Sequence, residues 1–126
     1  MKELLFALAL AGLVQGQEAT IWGGDHVEME VSAKGARLEF DCAHGTIDEA
    51  IKPDAKGAFT AKGTFTPERG GPAREDEESR AVKAIYSGRV EKDTMRLQIV
   101  VTAGQDRDEQ EYVLVRNQRG SVFKCR

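Results

Sequence analysis

The chain has 126 residues, with 21 acidic side chains against 18 basic ones, for a formal net charge of −3. Charges of both signs are interspersed, so the sequence lacks the basic stripe that neutralising a phosphate backbone requires, and nucleic acid is not expected as a partner. Once a leader is set aside, about 110 residues suffice for one domain with one modest core.

Residues 1–16, MKELLFALALAGLVQG, read as a secretory signal. Lys2 supplies the positive start, Leu4 to Val14 form an apolar run too short to span a bilayer, and compact residues precede a cut before Gln17. No cysteine follows the cut, so no lipid anchor is expected. The mature domain, residues 17–126, is therefore expected to be secreted or periplasmic, monomeric, and outside the membrane.

From there the pattern is period two, broken by turn residues at the spacing of an all-β fold. Trp22, the one tryptophan, lies in Ile21-Trp22-Gly23-Gly24, just before the first expected strand, where it can plug a barrel end or stack on a ligand at its mouth. Val27, Met29 and Val31 alternate with His26, Glu28 and Glu30; after Ser32-Ala33-Lys34-Gly35, Leu38, Phe40 and Cys42 alternate with Arg37, Glu39 and Asp41. This is a hairpin with one buried face. A second hairpin is expected between residues 46–52 and 59–66 about Lys56-Gly57, with Gly63 marking a bend or bulge.

Residues 67–80, PERGGPAREDEESR, are too polar and too rich in Pro and Gly for a strand and form a long loop. Glu68, Arg69 and Arg74 make it a candidate contact surface. Val82, Ala84, Tyr86, Gly88 and Val90 then alternate up to the turn Glu91-Lys92-Asp93, and Met95, Leu97, Ile99 and Val101 return as the longest hairpin. Residues 110–116 and 121–125 finish the set around Asn117-Gln118-Arg119-Gly120. Phe40, Phe59, Phe65, Tyr86 and Phe123 read as core. Seven or eight sequential strands are best accommodated by an antiparallel up-and-down meander closing into a small barrel, since closure removes exposed edges. A two-sheet sandwich is the alternative.

Cys42 and Cys125 are the two cysteines, and an even count in an exported chain predicts one disulfide. Closing a loop of roughly 80 residues stabilises by up to about 4 to 5 kcal/mol on the chain-entropy model. The histidines are His26 and His44. Pairing about the first turn sets His26 opposite Asp41, a structural imidazole–carboxylate contact. His26 and His44, with Asp25 and Asp41, are also the weak candidates for a metal site, although their spacing matches no metal motif. No serine stands in a G-x-S-x-G context, and the acids at 106–109 lack the oxygen spacing of an EF-hand loop. No cofactor and no catalytic residue are expected.

The stretches GGDHVEMEV, FDCAHGTI, GTFTPERGGP, YSGRVEKDTMRL and the terminal VFKC resemble a group of small exported bacterial proteins of unassigned function. The resemblance spans most of the mature chain and implies an exported barrel but no activity. The meander is also similar to calycin-type barrels, lipocalins and avidins, but Trp22 is followed, not preceded, by glycine, unlike the lipocalin G-x-W signature. The reading is a non-enzymatic module that binds a small molecule or a protein through one open end. Its alternative is a His-dependent enzyme or metal protein using His26, His44 and nearby carboxylates.

Overall fold

The computed structural model describes residues 19–68, 80–103 and 106–125. The expected signal segment and most of the 67–80 loop, with Arg69 and Arg74, lie outside the described residues. Eight strands follow in order: β1 (Thr20–Gly24), β2 (Val27–Ser32), β3 (Gly35–Phe40), β4 (Ala43–Ile47), β5 (Ala58–Pro67), β6 (Val82–Glu91), β7 (Thr94–Ala103) and β8 (Asp106–Arg116). Each pairs antiparallel with the next, and β8 returns to β1, so the meander is a closed barrel rather than a sandwich.

The period-two pattern sets the phase of every wall. Met29, Leu38, Phe40, Tyr86, Leu97, Ile99 and Leu114 point inward and are almost wholly buried. Burying each such side chain stabilises by about 1.5 to 3 kcal/mol, and together they fill the interior. Buried Tyr86 donates its hydroxyl to the Thr64 carbonyl at 2.6 Å, so its polar tip is satisfied. Gly63 stays in the ladder, paired with Ile47 and Ala84, and makes no bulge. Glycine is required there because a Cβ would collide with the Thr46 carbonyl oxygen.

Tracing the ladder from Thr20 through Val31, Ala36, Ile47, Gly63, Ala84 and Val101 arrives at Asp108. Across the seam, Trp22 faces Arg116, which would set Thr20 against Gln118, a stagger of ten residues from Asp108. Such a stagger tilts the strands against the barrel axis. The strands are also unequal: β1 to β4 have five or six residues, β5 to β8 ten or eleven. At the β1–β8 seam β8 therefore overhangs β1 at the end where β8 begins, whereas at the β4–β5 seam residues 58–62 of β5 overhang β4 at the opposite end.

Several local expectations are corrected. Trp22 lies within β1, not before the first strand. Cys42 leaves the strand phase at a two-residue turn with Asp41, taking φ of 53°, and β4 starts at Ala43. The second hairpin pairs Ala43–Ile47 with the far half of β5, while 48–57 is the connection between them, its Asp48 amide bonding the Lys62 carbonyl and its Ile51 packed against the core. Its turn at Gly57 is shaped by Asp54, whose carboxylate accepts the Lys56 and Ala58 amides at 2.8 and 3.0 Å. Residues 121–125 form no strand; they belong to a strap, 117–125, that runs back along the outside of β1. Gly23 and Gly120 permit that approach, since a Cβ on Gly23 would collide with the strap backbone and one on Gly120 with the Val27 carbonyl. Phe123, on this strap, is 71 % exposed and not core.

The strap ends in the Cys42–Cys125 disulfide, with Cα atoms 4.9 Å apart and the two cysteines 83 positions apart in sequence. Before that it ties both hairpin tips. The His26 amide donates to the Ser121 carbonyl at 2.7 Å, and the Cys42 amide to the Phe123 carbonyl at 3.0 Å. His26 and Cys42 both have positive φ, 71° and 53°, a conformation that costs a non-glycine residue roughly 1 to 2 kcal/mol and persists where its surroundings hold it.

Candidate functional site

The two ends of the barrel differ. At the end of the β6–β7 turn, Trp22 is buried under the Arg116 guanidinium, 4.6 Å from the ring centroid. Arg116 in turn bonds the Asp93 carboxylate at 3.2 Å and the Lys92 carbonyl at 3.0 Å. Trp22 is therefore a packed plug and not part of the opening.

The opposite end opens into a cleft of about 690 Å³ between the β1–β2 and β3–β4 tips and the projecting part of β8. Phe40, Phe65 and Tyr112 floor it, with Phe40 5.5 Å from Phe65 and 5.4 Å from Tyr112 between ring centroids. Its rim carries four acids, Asp25, Asp41, Asp108 and Glu111, and one imidazole, His26; Gln110 and Val113 complete the lining. Burial, and then the Asp41 and Asp108 carboxylates, push the Tyr112 phenol above its ordinary range, so it stays a neutral hydroxyl. A concavity of about 700 Å³ at the other end is lined by Arg89, Glu91, Lys92, Thr94 and Arg96, surface side chains with no aromatic floor.

The cleft exists because β1 is too short to cover β8. The seam consists of Trp22↔Arg116 and Gly23↔Val115, and β1 ends at Gly24, where the lack of a Cβ lets the Val113 carbonyl approach. There the chain turns away and Asp25 bridges Ser121 of the strap rather than continuing along β8. Residues 107–111 of β8 are exposed although Asp108 and Gln110 share the inward phase of Tyr112 and Leu114.

At the rim, His26 Nδ1 lies 2.6 Å from Asp41 Oδ2, a contact in which the imidazole N–H donates because a carboxylate only accepts. Asp41 Oδ1 accepts the Phe123 amide at 2.7 Å, and that bond, followed by the His26 contact, holds the carboxyl below its ordinary range. His44 is elsewhere. It stands on the outer face of β4 with Nδ1 2.8 Å from Glu68 Oε2, and Lys124 joins the same carboxylate at 2.8 Å while also bonding Glu39 at 2.8 Å and the Ala43 carbonyl at 2.9 Å. Thus the structure separates the sequence candidates into His26 with Asp41 at the cleft and His44 with Glu68 on the outer wall. Arg69 and Arg74 lie outside the described residues.

Chemically, the cleft offers acceptors, one imidazole and aromatic faces. Its described lining contains no serine, threonine, cysteine or lysine to act as a nucleophile. Among the described residues no group of three or more His, Cys, Asp or Glu side chains is arranged to hold a metal ion. Sequence reasoning grouped Asp25 with His26 and Asp41 but missed Phe65, Asp108, Glu111 and Tyr112 as their neighbours in one site. The available signal was Asp108 and Gln110, polar residues at two successive positions of the core phase of a strand.

No protein-family model, curated protein or solved structure matches the chain.

Proposed function

We propose that the protein is an exported, non-enzymatic binding module that takes its ligand in the cleft at the open end of the barrel. The observation that carries the reading is the pairing of a filled interior with an open, aromatic-floored mouth of about 690 Å³ rimmed by acids. That size and mixture suit a ligand with an apolar body and a cationic group. Export is supported by the leader-like segment 1–16 and by the disulfide, a bond favoured in oxidising compartments.

Native mass spectrometry of protein purified from its own host tests the binding reading. The wild-type chain is expected to carry a bound species that a Tyr112→Ala, Asp108→Ala chain loses. Recovery of both at bare mass overturns the reading. N-terminal sequencing tests export separately: the chain is expected to begin at Gln17, and an intact Met1 start on protein retained in the cytoplasm overturns it.

A further inference from the structure

We propose that the occupant of the cleft is an extended, basic segment of a protein partner that adds as a strand to the free edge of β8. This rests on the reading of the cleft as a binding site and assigns it a ligand class.

The first observation is the edge itself. Half of a strand's amides and carbonyls point to each side. Residues 106–112 pair with β7 on one side, while on the other no strand meets them among the described residues, because β1 pairs with Val115 and Arg116 alone. Groups of that kind are a template for another chain. Seven residues of strand span about 23 Å, enough to hold a segment in register.

The second observation is charge, which decides what pairs there. The edge sequence Arg107-Asp108-Glu109-Gln110-Glu111 is predominantly acidic, and Asp25 and Asp41 face it across the cleft. A second copy of this chain pairing edge to edge would bring two edges of net negative charge together, which disfavours the pairing. A segment bearing Lys or Arg meets complementary charge instead.

The third observation is the floor. On an added strand, alternate side chains turn into the cleft toward Phe40, Phe65 and Tyr112. The others lie on the outer face beside Glu109 and Glu111. The favoured segment therefore alternates basic residues with apolar or aromatic ones, main-chain bonds giving affinity and the floor giving selectivity.

Three capped heptapeptides test this by titration into the full disulfide-bonded mature chain. One alternates lysine with valine and phenylalanine; the second replaces lysine by glutamate; the third is the lysine peptide with alternate backbone amides N-methylated. The lysine peptide is expected to bind saturably and slow amide exchange across residues 107–112. The glutamate and N-methylated peptides should each bind at least about tenfold more weakly. Reversing Asp108→Lys and Glu111→Lys together, with the fold checked by circular dichroism, should abolish binding of the lysine peptide. Equal binding by the N-methylated peptide overturns strand addition and leaves the cleft reading intact. Failure of the lysine peptide to bind overturns the basic-segment proposal, while a dimer in sedimentation that protects 107–112 makes a second copy the occupant and overturns it too.

Discussion

His26 Nδ1 and Asp41 Oδ2 are 2.6 Å apart, which joins the tips of two hairpins fifteen residues apart in sequence across one rim of the cleft. The other oxygen of Asp41 accepts the Phe123 amide at 2.7 Å. One carboxylate thus links β1–β2, β3–β4 and the strap. Both tips contain a residue with positive φ, so this rim is held in shape by contacts rather than by backbone preference.

Asp41→Ala removes both contacts. Since the rim is exposed and the core untouched, the global unfolding transition should stay cooperative and shift little, while exchange of the Phe123 amide should accelerate by about an order of magnitude through local opening. Hydrogen exchange followed by NMR reads this directly. An unchanged Phe123 rate would show that Asp41 does not hold the strap.

The disulfide acts on the whole chain. Its two cysteines are separated by 83 positions, so the covalent loop spans most of the barrel. Reduction, or replacement of Cys42 and Cys125 by alanine, should cost about 2 to 5 kcal/mol, measured as a lower urea midpoint. A midpoint unmoved by reductant would mean that the strap's hydrogen bonds alone define the fold's stability.

The walls of the barrel were legible because period two is a direct consequence of strand geometry: Leu38, Tyr86, Leu97 and Ile99 declare their phase in sequence. The disulfide was legible from the even cysteine count. The cleft was not, because it depends on the unequal reach of β1 and β8 and on where Gly24 ends the seam, neither of which has a local signature. The strap was misread as a strand since Ser121, Val122 and Phe123 have strand composition; its real determinants are Gly23 and Gly120, two missing side chains that allow close approach. His44 and Glu68 meet through the β4–β5 register, a long-range fact that the local pattern does not encode.

Gly23→Ala tests the strap's seating. The added Cβ collides with the Gln118 carbonyl and the Gly120 amide, both backbone atoms that cannot rotate away. The strap must shift from β1, at a cost of about 1 to 3 kcal/mol, the range for overpacking a tight contact. A urea-measured loss below about 0.5 kcal/mol, within the spread of ordinary surface substitutions, would show that the strap does not lie against β1.

The pH dependence follows from the outer-wall cluster. Desolvation raises the Glu68 carboxyl, but hydrogen bonds from Lys124 and His44 outweigh it and hold the group below its ordinary value of 4.5. The unfolded chain then takes up that proton more readily than the folded one, so the Glu68 contribution is present above about pH 4.5 and is lost as pH falls through the folded value. Asp41, held down first by the Phe123 amide, and Asp54, held down first by the Ala58 amide, have the same sign from 3.8 downward. Lys124 is opposite. Burial lowers it, but its bonds to Glu39 and Glu68 raise it above 10.5, so its contribution is present below that pH and lost as pH climbs through the folded value. Thermal midpoints should therefore fall on both the acid and the alkaline side. Lys124→Met removes the partner that Glu68 and Glu39 share, and should flatten the alkaline limb while reducing the acid one. If both limbs keep their depth in Lys124→Met, the cluster does not couple the strap to β3 and to Glu68 beyond β5, and the acid loss belongs to Asp41 and Asp54.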